Sequence, residues 1–360
     1  MFASQLYLKN FRNYREATVS APPGFILVVG ANGAGKTNLL EALHFLALGR
    51  SFRTNRDRDL VRHDADALTV RATVQSPRGE QTLELDYDAA GKRGAINGEI
   101  VPRLIDYVGT LAVVPFGPDD LALVKDEPAA RRRFLDTWLG QQSREYLYAL
   151  QRYHAVLRSR NALLARAAPR PQLEPFDHEL VTTGARLTLL RAKAAAALGP
   201  AAASAYSEIV PRGEKLVVEY APSVPLGDGA ERGIVSAFER KLRAAREEEE
   251  RRRQTLVGPH RDDLSLEITA RDARRYASEG QQRTAALSLR IAQFRLLREK
   301  HGDPPLLLLD DVASELDDER QLRLEGVVAR AEQIWLTATR PPPGIKPDAK
   351  ISISHGQINA

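Results

Sequence analysis

The chain has 360 residues, a formal net charge of +5 and no cysteine. The missing thiols exclude disulfides, zinc-thiolate sites and cysteine nucleophiles, and fit a chain with no need of an oxidising compartment. With 43% hydrophobic and 28% charged residues the chain has the make-up of a folded globular protein, not a disordered one.

Residues 1–14 alternate like a strand and lack the apolar centre of a signal peptide. No apolar run approaches the roughly 18–20 residues that span a bilayer, so a cytoplasmic location is expected. The positive balance points to a polyanionic partner such as DNA only if the arginines gather on one surface. In chain order, short strands are predicted at 6–8, 18–20 and 25–29. A helix follows, with Leu39, Leu40, Leu43, Leu46 and Ala47 on one face, the spacing of a helix packed against a sheet. Further strands are predicted at 68–75, 82–87 and 94–96, with Asn97-Gly98 as a hairpin turn. From about 126 to 210 the pattern is helical, with interruptions predicted at Pro169, Pro171 and Pro175 and again at Gly199-Pro200.

Another helix is predicted at 231–253. Its end, 246–253, sets four glutamates before three arginines, which reads as a solvated face with internal charge pairing. A strand at 264–268, a helix at 282–300 and a continuous apolar run at 306–309 complete the pattern. Such a run is that of a buried parallel strand. No internal repeat is present. The fold class expected is α/β, with mixed sheets around a nucleotide loop and a mostly helical insertion. Residues 1–115 and 255–360 would form the head and residues 116–254 the insertion.

Residues Gly30, Ala31, Asn32, Gly33, Ala34, Gly35, Lys36 and Thr37 spell a complete G-x-x-x-x-G-K-[ST] pattern between an apolar strand and an amphipathic helix. This predicts ATP binding with Mg²⁺. The glycines let successive N–H groups converge on phosphate oxygens, and the helix that starts here adds its dipole. Lys36 supplies charge for the β- and γ-phosphates, Thr37 a hydroxyl for Mg²⁺, and Asn38 completes the nucleotide-binding set. The second half is Leu306-Leu307-Leu308-Leu309-Asp310-Asp311. Two acids after four leucines are expected to place Asp310 in the Mg²⁺ shell and Asp311 on the attacking water. A third element, Ser278-Glu279-Gly280-Gln281-Gln282-Arg283, opens the helix that carries Leu287, Ile291, Phe294 and Leu297. Its Ser278 and Gly280 suit either a second phosphate cradle or a plain N-cap.

The order of these elements, followed by Ala313-Ser314-Glu315-Leu316-Asp317, resembles that of the ABC-type ATPases. It is most similar to the RecF family, grouped with SMC and Rad50. The similarity extends to Leu8-Lys9-Asn10-Phe11-Arg12-Asn13-Tyr14 and to Phe116-Gly117-Pro118-Asp119-Asp120-Leu121. It continues through Arg131-Arg132-Arg133-Phe134-Leu135-Asp136 and Val257-Gly258-Pro259-His260-Arg261-Asp262-Asp263-Leu264. The resemblance implies an ABC-ATPase head of the Rad50/SMC type and an ATP-dependent homodimer with two nucleotides between the heads. Ser278, Gly280 and Gln281 would then act on the partner's nucleotide, and Lys36, Asp311, Ser278 and Gln281 would form the catalytic group. It further implies recombinational gap repair: binding DNA near single-strand/double-strand junctions, with RecO and RecR, to help RecA onto DNA. Asp311 stands where a glutamate is usual. Thr337, after the strand-like 334–336, stands where transporters often carry a switch histidine. Both imply a weak, slow ATPase. The alternative is the ATPase subunit of a transporter, with no effect on DNA. A chromosome-bridging head would need a long coiled coil, and the insertion is too short for one.

Some residues carry two readings each. His260 is either catalytic or a structural histidine in a turn. Asp262 and Asp263 either bind Mg²⁺ or cap an element. Arg131, Arg132 and Arg133, with Arg50, Arg53, Arg56, Arg58 and Arg62, are either DNA-phosphate contacts or paired surface charges. Aromatic content of 6% offers no base-stacking platform, so duplex backbone contact is expected over sequence readout. By the resemblance Arg12 and Asn13 reach the nucleotide; otherwise they sit at a sheet edge.

Overall fold

The computed structural model describes residues 1–77, 79–210, 213–312, 326, 330–341 and 346–359. The motif residues Ala313 to Asp317 lie outside them. The chain divides into two compact units, Met1–Asp120 with Leu287–Ala360, and Leu121–Ala286.

The first unit begins with β1 (Phe2–Phe11), β2 (Tyr14–Ser20), β3 (Gly24–Val29) and α1 (Lys36–Leu48). It continues through β4 (Leu68–Ser76), β5 (Gly79–Asp88), β6 (Gly91–Ile96), β7 (Glu99–Ile100), α2 (Leu104–Tyr107) and β8 (Val113–Phe116). The second unit holds α3 (Ala122–Lys125), α4 (Pro128–Gln142), α5 (Arg144–Ala165), α6 (Arg170–Ile209), β9 (Leu216–Ala221), α7 (Glu231–Ala244) and α8 (Arg246–Arg252). Then come β10 (Asp263–Ile268), β11 (Arg271–Asp272), α9 (Ala273–Tyr276) and the first turns of α10 (Glu279–His301). The chain returns to the first unit with β12 (Leu306–Asp310), β13 (Gln333–Ala338), β14 (Ala349–Ser354) and β15 (Gln357–Asn359).

Among the described residues the first unit has two six-stranded sheets. One is antiparallel, in the order β2-β1-β4-β5-β6-β7. The β6–β7 turn is Asn97-Gly98 with φ of +53° and +82°, the two left-handed residues that a two-residue hairpin of matching twist requires. The other sheet, β15-β14-β3-β13-β12-β8, is parallel except for β15. Strands β12 and β13 are largely apolar and, apart from Asp310 at the end of β12, buried, as a sheet covered on both sides demands. Strand β8 was not anticipated, although the apolar run Leu111 to Val114 carried its signal.

Helix α1 packs on β1, β4 and β5 of one sheet and on β8, β12 and β13 of the other. The sequence suggested a helix with one buried face; the structure buries it all round, Glu41 and His44 included. A helix enclosed by two layers has no solvent side, so its polar residues need internal partners.

In the second unit, α6 runs unbroken for 40 residues, about 60 Å at 1.5 Å per residue. The expected interruptions at Pro171, Pro175 and Gly199-Pro200 are therefore corrected. Pro171 falls in the first turn, where no backbone donor is needed. Gly199 is not a break but a contact: a Cβ there would lie 2.6 Å from the Val218 carbonyl oxygen of β9. The reverse holds for the helix predicted at 231–253, which divides at Ala245 into α7 and α8.

Each unit contains one of the two tryptophans, Trp335 in the first and Trp138 in the second, both fully buried. In a Trp335→Phe background, Gly199→Val should therefore lower second-unit stability by about 1–3 kcal/mol, the usual cost of overpacking. Urea unfolding followed by Trp138 fluorescence measures this, and an unchanged midpoint would show that α6 and β9 have room to spare.

Candidate nucleotide site

The loop after β3 is braced from behind. The Asn13 side-chain amide donates to the Ala34 carbonyl at 2.9 Å, and the Tyr14 hydroxyl donates to the Gly35 carbonyl at 2.9 Å. From the β14–β15 turn, the Gly356 N–H donates to the same Ala34 carbonyl at 3.1 Å. A Cβ at Gly35, whose φ is +119°, would lie 2.6 Å from the Asn13 amide, and one at Gly30 would lie 2.4 Å from the Ile353 carbonyl oxygen. These two glycines answer to the surrounding protein as well as to any ligand. The Lys36 ammonium donates to the Gly30 and Ala31 carbonyls at 2.8 and 3.1 Å, which holds its charge over the loop.

Thr37 and Asp310 come together. The Thr37 hydroxyl donates to Asp310 Oδ1 at 2.9 Å. In the parallel register Asp310 lies beside Thr337, whose hydroxyl donates to the same Oδ1 at 2.7 Å. Thr337 in turn accepts the Asp311 N–H at 2.9 Å. Asp311 has φ +50°, a left-handed conformation that residues with a Cβ seldom adopt. The Thr37 hydroxyl and the Asp310 carboxylate are hard oxygen donors, the kind Mg²⁺ accepts alongside phosphate and water. Among the described residues no cluster of three or more His, Asp or Glu is positioned to hold a metal without such help.

Glu41, Asp120 and Arg290 are charged residues to which the sequence assigns no role at this site. Glu41, fully buried on α1, accepts both Arg12 Nε and Nη2, at 2.9 and 2.7 Å, and the Ser51 hydroxyl at 2.5 Å. Arg12 is thus directed at α1 and, through Nη1, at the Asp59 carbonyl. Asn38 donates to Asn13 and accepts from Arg53. Asp120, in the loop after β8, accepts the Gly117 N–H at 3.1 Å and Arg290 Nη2 at 2.6 Å. Gly117 itself sits against Asp310. A lone acid among the leucines of α1 is the available signal for Glu41.

Ser278, Gly280 and Gln281 belong to the second unit. Ser278 and Gln281 bond reciprocally: the Gln281 N–H donates to Ser278 Oγ at 3.2 Å and the Ser278 N–H to Gln281 Oε1 at 2.9 Å. This capping box satisfies two of the free donors at the start of α10. Gln281 Nε2 also donates to Glu214 at 2.9 Å, and Glu214 accepts the Tyr206 hydroxyl at 2.8 Å.

Most residues with two readings are engaged within the protein. Arg131 makes a two-pronged pair with Asp263, and Arg132 donates to the Asp262 carbonyl. Asp262 is buried and accepts Arg191, the Tyr220 hydroxyl and the Ser223 N–H. Burial raises its pKa, against the pull of Arg191. Arg133 is exposed. In the basic segment, Arg53, Arg58 and Arg62 pair with Glu41, Asp66 and Asp64, the last two in exposed pairs of the kind worth little. The 246–253 run has the expected surface pairs of Glu248 with Arg251 and Arg252, but Glu249 is buried against Arg160 at 2.6 Å. His260 Nε2 donates to the Thr255 carbonyl at 3.0 Å, so its Nδ1 accepts the Tyr153 hydroxyl at 2.6 Å.

Burial holds His44 down to about 3 and His260 down to about 4. In the unfolded chain both take up protons near pH 6.5. Below that pH the unfolded state binds more protons, so stability is complete above about 6.5 and declines as pH falls toward 4. Calorimetric midpoints should fall between pH 7 and 5, with a shallower fall in His260→Gln. Equal slopes would mean that His260 titrates normally in the fold.

The protein family described as RecF/RecN/SMC N terminal domain matches residues 2–355. A DNA replication and repair protein RecF of Symbiobacterium thermophilum is 44% identical over 343 residues, covering 94% of this chain and 92% of that protein. The protein of the same name from Halalkalibacterium halodurans is 40% identical over 348 residues, with 94% and 93% covered. Among solved structures, the recombination mediator protein RecF with ATP, of the RecFOR pathway, superposes with a TM-score of 0.92 at 32% identity, over 99% of this chain and 97% of that one. An Smc head bound to the C-winged helix domain of ScpA gives 0.56 at 16% identity, over 99% and 97%, a likeness that shows the fold alone. Among the described residues no helix is long and apolar enough to cross a membrane.

Proposed function

Because the chain belongs to the RecF family, ATP-binding proteins of DNA replication and repair, we propose that it works as an ATP-driven switch on DNA during recombinational gap repair. The observation that carries this reading is the meeting of Thr37 and Asp310 at 2.9 Å beside the braced loop. Bound ATP·Mg²⁺ supplies the phosphate charge and the cleavable γ-phosphoryl bond. The N–H groups of residues 30–38 and the Lys36 ammonium bind that charge. Thr37 and Asp310 hold the Mg²⁺, and Asp311 orients and polarises the attacking water.

Ser278, Gly280 and Gln281 open α10 and face the nucleotide of a second copy, so that two ATP molecules join two heads. Ligand shared across an interface has the differential affinity for the dimer that a switch needs. Asp311, shorter than a glutamate, makes hydrolysis slow, so the ATP-bound dimer persists on DNA near single-strand/double-strand junctions until turnover releases it. RecR and RecO are the expected partners, RecA loading the outcome and the cytoplasm the location. The two ends of the chain form the nucleotide-binding head and the residues between them the mostly helical insertion. The transporter alternative has no support among relatives that are DNA replication and repair proteins.

Lys36→Met should weaken ATP binding by about 30-fold or more, the loss expected when one partner of a close charge pair is removed. It should also abolish ATP-dependent dimerisation in sedimentation and the ATP-dependent gain in DNA gel shifts at moderate salt. A variant that still dimerises with ATP would overturn the switch. Asp311→Asn should leave ATP binding intact and slow turnover by about 100-fold or more, the usual reach of a general base, so that the dimer accumulates. Unchanged turnover would remove Asp311 from the chemistry.

A further inference from the structure

We propose that Thr337 is a positioning residue for hydrolysis, its one hydroxyl fixing both carboxylates that end β12. This rests on the roles given above to Asp310 and Asp311. Thr337 has no exposed surface and lies in register beside Asp310 on the neighbouring strand. Its hydroxyl donates to Asp310 Oδ1 at 2.7 Å and accepts the Asp311 N–H at 2.9 Å.

A hydroxyl has one proton to donate. With that proton on Asp310, only its lone pairs face Asp311, and the pair of bonds has a single polarity. Being β-branched, threonine is stiff about χ1, so the oxygen is aimed by the sheet instead of sampling rotamers. The first bond orients the carboxylate that also takes the Thr37 hydroxyl. The second anchors the backbone of Asp311 at φ +50°, the left-handed turn with which the chain leaves the strand's regular path. Thr337 touches neither nucleotide nor water in this scheme; it acts through the two acids.

The test compares Thr337→Val, which keeps the shape and removes the hydroxyl, with Thr337→Ser, which keeps the hydroxyl. The valine variant should show kcat about 10–100-fold lower, or need about 10–100-fold more Mg²⁺ for half-maximal turnover, the range typical of residues that orient metal ligands. ATP affinity should change by less than about 3-fold, because the loop contacts are untouched. In the nucleotide-free protein, the Asp311 amide should exchange with deuterium at least about 10-fold faster in the valine variant, its bonded partner being gone. Serine should restore all three readouts. If Thr337 only fills the core, valine will match the parent in exchange, Mg²⁺ dependence and kcat, and the proposal fails. Should valine prevent folding, Thr337→Cys, with its weak donor, replaces it against serine under the same criteria. Asp310→Ala separates the two levels. If it leaves turnover intact, the site assignment itself is wrong; if it abolishes turnover while Thr337→Val matches the parent in kcat and Mg²⁺ dependence, only the role of Thr337 is lost.

Discussion

A helix enclosed between two sheets must satisfy its polar groups without water, and in this protein the Arg12–Glu41 pair does so for α1. Glu41 has no exposed surface and takes both prongs of the Arg12 guanidinium. Removing one partner of such a pair strands a buried charge at a cost of about 3–5 kcal/mol, a large share of ordinary domain stability. The pair ties the β1–β2 turn to the helix whose first residues are Lys36 and Thr37. That turn also carries Asn13 and Tyr14, which hold the loop from behind. The position of Lys36 and Thr37 thus depends on an ion pair that lies outside the loop itself.

The second unit solves a similar problem with arginines at the centre. Arg191 is buried among Asp136, Asp262, the Tyr146 hydroxyl and the Pro259 carbonyl. Arg160 is buried among Asp177, Glu249 and Thr255. Guanidinium suits this task because its donors are fixed in a plane and it stays charged. The residues around His260 are consequently a structural junction. Asp262 and Asp263 are held by Arg191 and Arg131, and the histidine is a neutral bridge between Tyr153 and Thr255.

The glycine-rich loop between strand and helix, the four leucines ending in two acids and the Asn97-Gly98 hairpin could all be read from the sequence, because each depends on residues adjacent in the chain. Periodicity also located most helices and strands. What escaped depended on residues distant in the chain. Glu41 looks like a surface acid until a second sheet covers it. Gly199-Pro200 looks like a helix end until the Val218 carbonyl accounts for the missing side chain. The 246–253 run looks uniformly solvated, yet Glu249 is turned inward by Arg160. Arg131 and Arg132 look like cations for DNA because the acids they meet lie about 130 residues later. Thr337 stands out in the sequence only for standing where transporters often carry a histidine; its two hydrogen bonds to the acid pair depend on strand register.

The braces behind the glycine-rich loop have a thermodynamic consequence. Ordering a flexible loop around an anion consumes part of the affinity, because each residue fixed gives up backbone freedom. Here Asn13, Tyr14 and Gly356 already hold the Ala34 and Gly35 carbonyls, so that ordering was completed when the protein folded. A ligand that meets a preformed cradle keeps more of its binding free energy for other work, such as drawing two large bodies together.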